Sequence, residues 1–468
     1  MRYLLVCSLA FVAPLPAIAA DGDLDTSFGS GGKVRLPQAG GYHGTWMPMD
    51  VAVQSTGKII ISGWTDLGSP NSNTCFVLRL NVNGSLDTTF GNANGLPPGY
   101  ASYSQCRNTS VVVRSDDRIV AADPGYGYTP EITFISQFTA NGTYDATFNT
   151  FGNVELNPSS GDTAVVVNRI ALDGGGNVIA AGSYSESGGG NDFYLARVSA
   201  NGSAQTSKHY SSYFSSTSVP NSDIAYDVAV AADGSFYVAG TTKSMAGDLN
   251  CALSHNRYDT TFEAILTDNT FSGGSSNVVL AKDYGDNNDD YCFALALQPH
   301  DTVVLGGQSS TASWQTATLT TQGADGALGT RTNYKFVYDQ INGPFNSDVD
   351  TVKRVVVEPY DHYPLLIGSG PNHTVIPSRS YDLAVARLSG PSTPDTSFNA
   401  ASFGSQGFAL YDVGSTNTVS NLNTATSAVL WHGRLIIVGT AQDAAGGTDI
   451  VALRLAPFDG IFKDGFEG

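Results

Sequence analysis

A short apolar run closed by a small residue returns about every 60 residues, and no other feature constrains this chain so strongly. It reads Ile59 to Gly63, Ile119 to Ala122, Val178 to Gly182, Phe236 to Gly240, Val303 to Gly307, Leu365 to Gly368 and Leu435 to Gly439. Such runs are too short for buried helices and fit strands covered on both faces. A unit repeated at this period cannot bury its apolar face alone, so the copies must pack on one another. Abundant glycine (52 residues) and a charged fraction of only 14% agree with short strands and tight turns.

Around each run the rest of a unit can be read. Asp50 to Val53 leads into Thr56-Gly57, and Asp227 to Val230 leads into Asp233-Gly234, so each unit opens with a hairpin. A third strand follows, as in Phe76 to Leu80, Phe193 to Val198, Leu383 to Leu388 and Ile450 to Leu455. A turn then leads to a fourth segment with the signature Leu86-Asp87-Thr88-Thr89-Phe90-Gly91, echoed at Tyr144 to Phe148 and Asp395 to Phe398. Four strands in such a unit make one propeller blade. The expected fold is all-β: a seven-bladed β-propeller of four-stranded blades spanning residues 21–460. The last unit lacks its fourth segment after Leu455, whereas Leu24 to Gly29 carries that signature near the beginning. The N-terminal segment is therefore expected to complete the last blade and to hide two sheet edges.

Through the Leu-Asp-Thr-Ser/Thr-Phe-Gly signature and the Asn-Gly or Asp-Gly turn before it, the chain resembles the delta-60 repeat family of exported bacterial β-propeller proteins. The signature is intact at Leu24 to Gly29 and Leu86 to Gly91, and degenerate at Asn201 to Thr206 and Asp325 to Gly329. The resemblance implies a propeller and an exported location, and it carries no catalytic residues. Arg79, Arg197, Arg387 and Arg454 share one place in the third strand. They read as structural, with Asp87 the expected partner of Arg79.

Met1 to Ala20 has Arg2, an apolar run from Leu4 to Val12 and a small-residue Ala17-Ile18-Ala19 end, which reads as a signal peptide for a secreted, periplasmic or cell-surface protein. No stretch approaches the roughly 20 apolar residues of a membrane span. Residues 461–468 read as a C-terminal tail outside the repeat. A net charge of −19 argues against nucleic acid as a partner. Removing Cys7 with the signal peptide leaves Cys75, Cys106, Cys251 and Cys292, which allow three pairings. The repeat register favours Cys75 with Cys106 and Cys251 with Cys292, each tying neighbouring blades.

Asp286, Asn288 and Asp290 have the one-three-five spacing of a calcium loop, although Tyr291 and Leu297 stand where an EF-hand needs Gly and Glu. Calcium is the one cofactor the sequence suggests, and Asp21, Asp23 and Asp25 repeat the spacing within the signature. The scattered histidines lack metal-site spacing, and no GxSxG, HExxH or P-loop occurs. Two stretches, Ser244 to Ser276 and Arg331 to Asp350, read as long connections able to carry function. The expected activity is that of a monomeric binding or structural scaffold for a glycan or protein ligand. The alternative is a hydrolase or lyase of extracellular polysaccharide, which needs paired acids about 5 to 10 Å apart at the channel mouth.

Overall fold

A computed structural model describes residues 20–458, apart from 38–43, 67–72, 92–95, 104–105, 108, 126–130, 157–161, 187–189, 211–221, 244–247, 259–261, 265–279, 283–288, 300–301, 312–313, 322–331, 335–350, 372–379, 391–392, 400–406, 415–420 and 444. The expected signal peptide and the 461–468 tail lie outside the described residues. The chain is an all-β propeller. Its first blade is Trp46–Val53, Ile59–Thr65, Thr74–Leu80 and Tyr100–Tyr103, hydrogen-bonded in that order. The second opens with Ser110–Val113, the third with Asp162–Leu172, the fourth with Ile224–Val230, the fifth with Asp290–Gln298 and the sixth with Thr351–Val357. These opening strands stand next to one another around the centre.

The expected seven-bladed ring of four-stranded blades is corrected by this topology. Six blades are built from continuous stretches of chain, and between the sixth and the first lies a composite seam sheet drawn from both ends. The seam orders Thr424–Trp431, Arg434–Gln442 and Thr448–Arg454 beside Lys33–Leu36. Two of the continuous blades are not four-stranded. In the fourth, Leu280–Lys282 adds to the third strand, and in the sixth, Phe408–Tyr411 and Asn421–Leu422 both pair with Ser380–Gly390. Repeat spacing locates the hairpins but is blind to insertions that add strands at the outer edge. Ser244 to Ser276 is likewise no simple connection, because it contains the third strand Leu249–Tyr258.

The signature is also not the outer strand. Leu24 makes a single bridge to Leu455, and Lys33–Leu36 is the segment that pairs with Leu453 to Ile450. The motif is instead a turn between the third and fourth strands, and each residue has a task. In the first blade, Asp87 Oδ1 accepts from the Thr89 amide at 3.1 Å and its hydroxyl at 2.6 Å, while Oδ2 accepts from Arg79 Nε at 2.9 Å. Arg79 lies 4.7 Å over the Phe90 ring and donates to the Ala140 carbonyl of the second blade at 2.7 Å. Phe90 in turn packs where a Cβ on Gly142 of that blade would stand, and Gly142 has φ +84°. The Asn-Gly turn before the signature, at Gly84 and at Gly142, is thus a socket for the preceding phenylalanine.

The same clamp crosses the seam. Arg454 Nε donates to Asp25 at 2.9 Å, Arg454 covers Phe28 at 4.7 Å, and the Gly29 amide donates to the Asn83 carbonyl at 2.8 Å. Asp21-Gly22 is the matching socket on the other side, receiving the Asn399 amide at 2.8 Å and the Phe398 ring. Asp21 and Asp25 are therefore repeat positions, paired with Arg387 and Arg454. In the second blade Gln137 replaces the arginine, and Arg114, just after the opening strand, donates to Gln137 at 2.6 Å, restoring the cation near Phe148.

Cys75 is bonded to Cys106 across the first and second blades, and Cys251 to Cys292 across the fourth and fifth, with Cα separations of 5.5 and 5.0 Å. In the sixth blade Arg387 is shared by Asp21, Asp395 and Glu358. Burial pushes Glu358 up to about 7, with Arg387 opposing and Asp21 and Asp361 adding to the rise.

Two stability predictions follow from the clamps. Asp25→Asn leaves Arg454 and Arg434 without their shared carboxylate and should cost about 3 kcal/mol in urea unfolding. An unchanged midpoint would show that the seam does not depend on this pair. Glu358 has the opposite sign: its pKa is higher folded than unfolded, so the stability it contributes is full below pH 4.5 and lost as pH rises through about 7. Glu358→Gln should raise the melting temperature by about 2 °C at pH 8, the gain fading towards pH 4.5.

Candidate functional site

The opening strands build the channel by one repeated device. Six of the pairings between opening and second strands are broken by an extra residue: Met49, Asn168, Tyr226, Phe293, Lys353 and Thr426. Opposite each bulge stands the small residue that closes the apolar run, Gly63, Gly182, Gly240, Gly307, Gly368 or Gly439. A Cβ on any of them would collide with a backbone carbonyl of the bulged strand. The second blade has Ala122 at this place, and its pairing with Ser110 carries no bulge. The recurring glycine of the sequence is therefore the imprint of the bulge, and the bulge frees one side chain per sheet to line a central cavity of about 250 Å³.

The charged residues after four of the bulges, Asp50, Arg169, Asp227 and Arg354, build the cavity's floor. Arg169 Nη1 lies 2.7 Å from Asp50 and its Nε 3.3 Å from Asp227, while Arg354 Nη1 lies 2.8 Å from Asp227. Asp50 also accepts from the Val51 and Val111 amides at 2.9 and 2.8 Å and from the Ser110 and Ser427 hydroxyls at 3.0 and 2.7 Å. Asp227 accepts from the Val228 and Leu295 amides at 2.9 and 2.8 Å. Two buried aspartates from the first and fourth blades thus reach every other sheet of the ring. Burial raises the Asp50 pKa, but Arg169, Arg354 and the hydrogen bonds outweigh it and hold the carboxyl below its ordinary range.

Above this floor Tyr226 meets Phe293 edge-on at 5.0 Å, and Tyr291 stacks on Phe293 at 5.3 Å. The Lys353 ammonium lies 4.7 Å from the Phe293 ring centre. Its side chain is exposed to the channel, yet the crowded walls lower its pKa by desolvation. Met49 and Thr109 form a wall shared with a second cavity of about 360 Å³ between the first three blades, lined by Met47, Trp64, Pro124 and Val166.

The residues singled out in the sequence lie elsewhere. Asp286 and Asn288 lie outside the described residues, and Asp290 is buried at the start of the fifth blade's opening strand, paired with Ser309. Most of Arg331 to Asp350 also lies outside the described residues, which include Thr332–Tyr334 as an outer strand. Among the described residues, the cluster of potential metal donors is Cys75, Cys106 and Asp123, and both sulfurs are consumed by the disulfide. Of the aspartate–arginine floor, the sequence marks Asp50 and Asp227 as hairpin openings, while Arg169 and Arg354 hold the same register position in the third and sixth blades.

Ring, seam and channel define a β-propeller. A family model described as a domain of unknown function (DUF5122) beta-propeller matches residues 54–90 and 176–207, the hairpin-to-signature stretches of the first and third blades. The delta-60 resemblance stands on the signature residues alone. No curated protein matches the chain. Similar solved structures include a protein of unknown function from Dyadobacter fermentans, 10% identical, covering 91% of this chain and 98% of that one with a TM-score of 0.43. Others are the polysaccharide lyase Uly1 (10% identity, 96% and 94% covered, TM-score 0.48) and the Hadza microbial sialidase Hz136 (11%, 92% and 69%, 0.40). Among the described residues no helix is long and apolar enough to cross a membrane.

The floor makes a testable statement about the ring. Asp227→Asn strands Arg354 and half of Arg169's charge in the channel, and should cost about 3 to 5 kcal/mol in urea unfolding. Adding Arg354→Met should recover part of that loss. If the double variant is no more stable than the single one, the ion pairs are not what holds the floor.

Proposed function

We propose that this protein is a ligand-binding scaffold of the cell surface, periplasm or exterior, and that its binding site is the central channel pocket. One observation carries the reading: both channel-floor carboxylates are committed to arginines and backbone amides. Asp50 is held ionised by these contacts, so it does not offer the protonated acid that glycoside cleavage requires. The side chains that the bulges turn into the cavity are apolar, aromatic, cationic, or neutral and polar: Met49, Tyr226, Phe293, Lys353, Asn168 and Thr426. Such walls suit recognition by a few polar groups and apolar contact. Two disulfides suit an oxidising compartment.

The test is a binding screen against glycans, peptides and small organic acids, run beside Met49→Trp, which fills the pocket wall. Ligands of the native protein should lose at least tenfold in affinity for the variant. Polysaccharide depolymerisation by the native protein that disappears in Arg169→Met would favour the hydrolase or lyase alternative instead.

A further inference from the structure

We propose that the channel pocket takes a small amphiphilic carboxylate, its head group on Lys353 and its apolar body in the adjoining cavity behind Met49. The inference rests on the channel being the binding site and names the ligand chemistry. Charge pairing in the cavity is lopsided: Asp50 and Asp227 face Arg169 and Arg354, each arginine already bridged to an aspartate. Among the described residues lining the cavity, Lys353 is the remaining cation. Its contact is the Phe293 ring, which stabilises an ammonium but neither neutralises it nor accepts its protons in hydrogen bonds. Its ammonium therefore faces the channel without a carboxylate among the described residues, while the arginines of the floor have theirs. One monoanion supplies what it lacks, and a carboxylate offers the acceptor oxygens.

The second cavity decides the rest of the ligand. Its apolar walls are Met47, Met49, Trp64, Pro124 and Val166, with Thr109 and Glu131 also lining it and Arg107 placed 5.2 Å over the Trp64 ring. Thioether, indole and aliphatic surfaces on these walls suit an alkyl or aryl body. Met49 and Thr109 line both cavities, so a single molecule passing them would span from the ammonium to the apolar annex. The wall residue is an unbranched methionine, which can change rotamer to admit such a chain.

Titration calorimetry with octanoate tests this, with octanamide as the neutral counterpart and acetate as head group alone. Octanoate should bind the native protein at one site, with octanamide and acetate each at least tenfold weaker. Lys353→Met should lose octanoate at least tenfold and leave octanamide unchanged, its melting temperature serving as the check on folding. Equal affinity for octanoate and octanamide, or retention of octanoate by Lys353→Met, overturns the proposal. If octanoate does not bind while a screened neutral ligand does, and Met49→Trp abolishes it, the carboxylate assignment fails and the channel site stands. If nothing in the screen is sensitive to Met49→Trp, both fail.

Discussion

The approach of a backbone carbonyl to a glycine Cα, once in nearly every sheet, is the constraint on which this molecule is built. An extra residue in an opening strand forces the carbonyl inward, and only a residue without Cβ can sit opposite. The ladder gives up regular pairing there. In return the strand turns one side chain into the channel and the next into the floor. Met49 and Asp50, Tyr226 and Asp227, Lys353 and Arg354 are consecutive pairs of this kind. Channel chemistry can therefore vary from blade to blade while the packing on either side of the bulge stays the same.

The outer ring follows a second rule, local in sequence and directional in space. Each intact signature joins its own third strand through an arginine and the next blade through a phenylalanine and a turn glycine. Phe28 meets Gly84, Phe90 meets Gly142, and Phe398 meets Gly22. Floor and rim thus hold the blades at two radii by different forces: long-range ion pairs at the centre, and cation–π contacts with short hydrogen bonds outside. Arg387 shows where the rule is overdrawn, since three carboxylates converge on one guanidinium and Glu358 is left holding a proton near neutrality.

Much of this was readable from sequence because it is encoded within one unit. The Arg79–Asp87 pair spans eight residues, and the disulfides follow from where each cysteine falls in the repeat. What the spacing misjudged was the role of the signature, since a motif closing a turn and one forming a strand have the same period. The floor was out of reach for a different reason. Arg354 meets Asp227 across 127 residues, and nothing local to either predicts the other. A comparison of the same register position in all units would have exposed the alternating charges, but only once the bulge had fixed that register. Asp286 and Asn288 lie outside the described residues, so the calcium spacing remains an expectation of the sequence.

The seam gives the ring a mechanical character that its thermodynamics hides. Lys33–Leu36 runs antiparallel to Thr448–Arg454, with Lys33 opposite Leu453 and Leu24 bridged to Leu455, so both strands leave the ladder at the same end. Tension applied through residues 20 and 458 therefore peels the ladder rather than shearing it, loading its hydrogen bonds one after another. The disulfides tie the first blade to the second and the fourth to the fifth, and neither crosses this joint. Under force the ring has a built-in opening point at this latch.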